Sequence, residues 1–247
     1  MIDYFLLAKP WSVWLPLSEI ALDAARASGD RRAHGMTTAN LALVCFWRRE
    51  FDRSHALYTE AMGITREIDD QHVRAWISYG LACLGYERHQ LDEARRFADD
   101  ALSLFGGLGE RDGEAAALAV LGDIHREAGE WDAAMAATER ALRACRALHD
   151  TYGEGRKLVK LAEVHLARGQ LDEAMASLDR SLIVRQDAED RWGAADAQVR
   201  RGDIMWELGL ADQAHAAWHE ALEFYESIED PRADDVQNRI ATTHGQA

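Results

Sequence analysis

Apolar and polar residues follow one another along this chain with a helical rhythm. Between residues 110 and 149, Leu118, Leu121, Gly122 and His125 recur at spacings of three and four, which places them on one face of a helix. Gly129 follows, a residue that ends a helix at low cost because it tolerates left-handed backbone. A second stripe, Ala134, Ala141, Leu142 and Cys145, begins just beyond it. Asp132 sits in the first turn of that helix, where a carboxylate can accept free N–H groups and suits the positive end of the helix dipole. Glu110 and Asp150 stand at the first-helix starts of this unit and the next, Glu110 as the weaker cap. The unit reads as two antiparallel helices.

The same unit returns every 40 residues without an insertion. Asp30, Asp70, Glu110, Asp150, Asp190 and Asp230 share one phase, and Asp52, Asp92, Asp132, Asp172 and Asp212 share another. Leu22, Met62, Leu102, Leu142, Leu182 and Leu222 form a third, preceded by Ala21, Ala61, Ala101, Ala141, Ser181 and Ala221. Small residues pair across each hairpin: Ala82 with Ala94, Gly122 with Ala134, Ala162 with Ala174, and Gly202 with Ala214. Such residues permit two helix axes to cross closely. A hairpin of this kind cannot bury its apolar stripe alone and must stack on its neighbours.

The expected architecture is all-α, a right-handed solenoid. Residues 1–28 form a partial repeat that supplies a leftover second helix. Residues 29–230 form five hairpins (29–69, 70–109, 110–149, 150–189 and 190–230). Residues 231–247 form a polar cap and tail, with Pro231 at a first helical position and Val236 and Ile240 as its apolar stripe. A first helix for residues 11–28 would need more chain than Met1 to Lys9 provides, so the array is expected to start inside a repeat, as a fragment or after loss of an upstream region. Trp11 and Trp14 are then expected to form an exposed apolar end.

Leu121-Gly122, Gly129, Trp131-Asp132, Ala134 and Ala141 carry a resemblance to the tetratricopeptide repeat over about residues 29 to 230. The 40-residue period resembles the long-helix subtype found in C-terminal sensor arrays of bacterial STAND-type transcriptional regulators. GERDGEAAAL, HDTYGEGRKL, EDRWGAADAQ and EDPRADDVQNRI are similar to the linking phrases of those arrays. The resemblance implies a non-catalytic module that binds a protein or peptide segment on a concave face lined by the first helices. It also implies an upstream NTPase or DNA-binding region outside this chain. A stand-alone adaptor and a receptor for a short signalling peptide are the alternatives.

Mapped on the period, the first-helix groove positions are Met36, Leu43, Phe46 and Trp47, then Trp76, Tyr79, Cys83 and Tyr86. Later units place Asp123, Arg126, Glu127, Arg156, Glu163, Asp196, Asp203, Trp206 and Glu207 there. One end of the groove is thus aromatic and the other largely acidic, the latter suited to a basic segment. Phe46, Tyr86, Leu166 and Trp206 share one register and equally suit packing between first helices, whereas Trp47 and Trp76 fall outside it and are the stronger anchor candidates.

Composition narrows the chemistry. Among 247 residues, 43 are acidic and 28 basic, a net charge of −15 that repels nucleic acid and anionic membranes. Cys45, Cys83 and Cys145 have no C-x-x-C spacing, and with no recognisable leader they point to a reducing cytoplasm. No phosphate-loop or nucleophile-elbow motif occurs, since Gly106, Gly107 and Gly109 lie at a repeat junction without a following lysine. His215 and His219 stand four apart on one helix but lack a third ligand at a defined spacing. His125 and His165, one repeat apart, read as packing residues. No cofactor and no catalytic residue are assigned.

Overall fold

The computed structural model describes residues 11–228, 230 and 232–243, and twelve helices lie among them. They are α1 (Trp11–Ser28), α2 (Arg31–Trp47), α3 (Phe51–Glu67), α4 (Gln71–Glu87), α5 (Leu91–Leu108), α6 (Arg111–Glu127), α7 (Trp131–Ala147), α8 (Thr151–Ala167), α9 (Leu171–Asp187), α10 (Arg191–Glu207), α11 (Ala211–Ser227) and α12 (Arg232–Thr243). Pro231 lies outside the described residues.

The backbone repeats every twenty residues, twice as often as the side-chain pattern. Positive φ occurs at Gly29, Arg49, Asp69, His89, Gly109, Gly129, His149, Gly169, Glu189 and Gly209. After each of these except Gly29, the next residue along donates its N–H to a carbonyl five positions back, as Glu50 does to Cys45 and Asp150 to Cys145, whereas Asp30 donates to the Ser28 hydroxyl. The backbone bond is the one that closes a Schellman motif. The carbonyl of that same residue accepts the first bond of the next helix, Ser54 N–H to Glu50 O and Glu154 N–H to Asp150 O. One residue therefore ends one helix and starts the next, and only two or three residues separate successive helices through α11.

At the first-helix starts, side chains add to this. Asp30 accepts from the N–H groups of Arg32 and Ala33, Asp70 from Val73, Asp150 from Gly153 and Asp190 from Gly193. Glu110 instead holds the His72 imidazole at 2.5 Å. The first-turn acids of the second helices differ from expectation. Asp52 and Asp132 are almost fully exposed and take an arginine from the following hairpin, Arg88 and Arg168 respectively. No side chain caps the start of either helix, and the carboxylate is instead drawn to the guanidinium of the neighbouring repeat.

The chain falls into two compact units, Met1–Ile124 and His125–Ala247. In the first, α2 pairs with α3 and α4 with α5; in the second, α8 pairs with α9, α10 with α11, and α12 rests on α11. First helices of adjacent hairpins also touch, α2 with α4 and α8 with α10. Large side chains meet glycines where the helices cross. The Tyr58 ring lies against Gly80, Phe105 against Gly113 and Trp218 against Gly202, and a methyl on any of these glycines would come within 2.6 Å of the ring. Ala82, Ala94, Ala134, Ala162, Ala174 and Ala214 are all buried. Trp14 is only 6% exposed and so is buried rather than forming an open end; the Trp11 side chain lies outside the described residues.

Two outcomes check this account. Leu142 is buried, so Leu142→Ala should lower unfolding stability by about 2–5 kcal/mol, read from the urea midpoint. His149 is exposed and left-handed at φ 56°, so His149→Gly should raise stability by roughly 0.5–1 kcal/mol, as relief of side-chain strain outweighs the added freedom of the unfolded chain.

Candidate functional site

All seventeen expected groove residues lie on first helices, and none is buried. In the first unit Met36, Leu43, Phe46 and Trp47 project from α2, and Trp76, Tyr79 and Tyr86 from α4. Met36, Trp47 and Trp76 are each about 40% exposed, whereas Leu43, Phe46, Tyr79 and Tyr86 are half-buried. Phe46 meets Trp47 edge-on at 5.6 Å and Phe51 at 6.1 Å, so it fills space between helices. Trp76 packs edge-on against the buried Phe105 at 4.9 Å and against Tyr79 at 5.8 Å. It is therefore both a structural wedge and an exposed surface, a double role that its place outside the packing register did not suggest.

Residues 117–151 match the tetratricopeptide repeat family. The chain has a tetratricopeptide-repeat fold. The crystal structure of BtubC (BKLC) from P. vanneervenii is similar, with a TM-score of 0.75 at 19% identity over 89% of this chain and 92% of that one. A Rap protein complexed with competence and sporulation factor is similar at 0.72 and 15% identity, over 81% of this chain and 57% of that one. A STAND protein with a tetratricopeptide repeat sensor, PH0952 from Pyrococcus horikoshii, is similar at 0.68 and 15% identity, over 90% of this chain and 38% of that one. The chain thus spans little more than half of the Rap protein and well under half of the STAND protein. At these identities the likeness concerns the fold. No curated protein matches the chain.

In the second unit of this tetratricopeptide array the expected acidic groove is largely committed to internal pairs. Glu163 receives Arg200 at 2.8 Å, Lys160 at 3.3 Å and Arg126 at 3.5 Å, and Asp196 lies 3.7 Å from Arg200. Asp203 accepts from the Trp218 indole at 3.0 Å and from Arg239 at 3.1 Å. Trp206 is half-buried beside His215 and Trp218. Arg156 leans toward the Tyr152 ring, and Glu207 is exposed. The cations that neutralise this face, Lys160 and Arg200, are one repeat apart in one register. That register signal was readable, but pairing it with Glu163 requires the stack.

The remaining candidates are packing residues. His215 hydrogen-bonds the Thr243 hydroxyl at 2.9 Å, tying α11 to α12. His125 and His165 each reach five residues forward, to Glu130 and Gln170, across the turn that follows their helix. Among the described residues no group of three or more His, Cys, Asp or Glu side chains is arranged to hold a metal. Burial pushes the Cys45 thiol up to about 11 and raises that of Cys145, which keeps both protonated at neutral pH.

The end of the array is held by one arginine. Arg232 bonds both oxygens of Asp230, at 2.9 and 2.5 Å, and lies over the rings of Trp192 and Tyr225 at 3.7 and 4.5 Å. These bonds, with the Arg232 N–H and the Trp192 indole, hold Asp230 at about 2, below its ordinary 3.8. The group's stabilising effect is complete above about pH 4 and disappears as pH falls through about 2, because there the folded state must also take the proton. Asp230→Asn should therefore cost up to about 2 kcal/mol at neutral pH, and the difference from the native chain should vanish toward pH 2, measured by chemical unfolding across that range.

Proposed function

We propose that this chain is a non-catalytic module that binds a protein or peptide segment on the first-helix face of its first unit. The observation that carries this reading is the exposure of Met36, Trp47 and Trp76 together on α2 and α4. Met36 and Trp47 share one face of α2 about three turns apart, Trp76 is exposed on α4, and aromatics supply most of the energy at binding surfaces. The half-buried Leu43, Phe46, Tyr79 and Tyr86 would form the floor between them. In the second unit, Arg126, Arg156, Glu163, Asp196, Asp203, Trp206 and Glu207 form a mixed polar face of their own, suited to set the register of a bound segment more than its affinity.

The finer reading is that the module is the sensor or autoinhibitory arm of a bacterial transcriptional regulator. The linking phrases and the fold shared with a STAND protein bearing a tetratricopeptide repeat sensor support it. In that setting an NTPase or DNA-binding region would lie upstream, and binding at the array would bias it. The Rap protein complexed with competence and sporulation factor has the same fold, which favours a receptor for a short signalling peptide as the second reading. No described helix is long and apolar enough to cross a membrane.

A phage-displayed peptide library selected against the whole chain tests the binding face. Selected peptides should be rich in apolar residues and should change the tryptophan fluorescence. They should lose at least about tenfold in affinity to a Met36→Glu, Trp47→Ala variant that melts like the native chain. Trp76→Ala alone should also cost stability, through its contact with Phe105. Selected peptides that bind the double variant equally well would move the site elsewhere. An immunoblot of the native protein in its source cells separates the finer readings: a band well above 27.7 kDa favours the regulator arm, and one at 27.7 kDa the adaptor or receptor.

A further inference from the structure

Helix α1 differs from every other second helix in what it leaves uncovered. The small residues Ala61, Ala101, Ala141, Ser181 and Ala221 occupy one register and are at most 1% exposed. The equivalent Ala21 is exposed. Around it Val13, Leu17 and Ile20 are 49%, 49% and 63% exposed, and Pro16 and Ala24 are exposed as well. The strip is also more apolar than the repeat requires. Where α1 has Ile20, the other second helices carry Glu60, Asp100, Arg140, Arg180 and Glu220. Where it has Val13, three of the five carry Arg53, Glu93 and Glu173. Glu19 and Arg26 lie in another sector of α1 and are tied to α3, Glu19 to Arg53 at 2.7 Å and Arg26 to Glu60 at 3.0 Å, while Asp23 borders the strip beside Pro16.

We propose that a second copy of this chain covers this strip, its α1 packed antiparallel on the first about a two-fold axis. An antiparallel helix is the element that covers this register in the other hairpins, and a two-fold axis across α1 supplies one automatically. The sequence of α1 is complementary to itself in that arrangement. Centred between Ser18 and Glu19, the pairing sets Val13 against Ala24, Pro16 against Ala21, and Leu17 against Ile20, large against small at the ends and aliphatic against aliphatic in the middle. It opposes no like charges: Glu19 falls opposite Ser18, and Asp23 opposite Trp14. Because each copy carries a net charge of −15, the pair repels at long range and its association strengthens as salt is added.

Sedimentation velocity on the full chain, over a wide concentration range and at two salt concentrations, tests this. The expected result is a concentration-dependent dimer, tighter at high salt. Leu17→Glu and Ile20→Arg, each at an exposed position, should separately raise the dissociation constant at least about tenfold while circular dichroism and melting stay native. The double variant should recover the dimer, since the new glutamate of one copy then faces the new arginine of the other. A monomer at every concentration, as would follow if the chain's own first ten residues covered the strip, overturns the proposal. So does a dimer indifferent to both substitutions. Loss in both single variants without recovery in the double overturns the antiparallel pairing.

Discussion

The structure depends on one junction used again and again. A left-handed residue, followed by one whose N–H closes the finished helix and whose carbonyl opens the next, recurs every twenty residues. Almost all helices between these junctions have seventeen residues, so each side chain returns to the same angular position after two junctions. That constancy keeps the buried alanines of successive second helices in phase. It also explains why the αL positions can be held by Arg49, Asp69, His89, His149 and Glu189 as well as by glycine. The closing bonds on both sides, and the packing of two helices, outweigh a local strain of about 1–2 kcal/mol at each such residue.

Charge is used mainly inside the array. Arg88 and Arg168 reach back to the first-turn acids of the preceding hairpin, and Arg32 reaches forward to Asp70 of the following one. At Asp70, burial works to raise the carboxyl, but the Val73 N–H and Arg32 outweigh it and hold the group below its ordinary value. Arg185 is nearly fully buried, paired with Asp190 and packed against Gly155 and Gly193, where another repeat has Phe105 against Gly113. A strongly negative chain therefore presents fewer free carboxylates on its first-helix face than its composition suggests, and a basic partner loses much of its rationale there.

What remains available for recognition is apolar. Two such surfaces stand on different elements of the first unit: the aromatic face of α2 and α4, and the outer strip of α1. They differ physically. The first is rigid and aromatic, with rings braced on Phe46, Tyr79 and Phe105, which suits capture of a small number of anchor side chains. The second is aliphatic and small, which suits close approach of another helix. A ligand on one and a second copy on the other can coexist.

The sequence by itself determined the repeat, the helical hairpins, the small crossing residues and the aspartate caps of the first helices, because these rest on local backbone chemistry and on a period that side chains must obey. It also placed the groove residues on first helices, since helix phase is a property of spacing alone. Other features were settled only by the tertiary structure. The sequence pattern showed Asp132 as a capping acid, Trp14 as an exposed end and Glu163, Asp196 and Asp203 as an acidic face. The structure gave Asp132 to Arg168, turned Trp14 inward and paired the three acids with neighbouring cations and an indole. Except for Arg200, four residues on from Asp196 in α10, each of these partners lies on a different helix from its acid, up to thirty-six residues away in sequence. Periodicity fixes which face a residue occupies, but only the stacking of one hairpin on the next decides what that face meets.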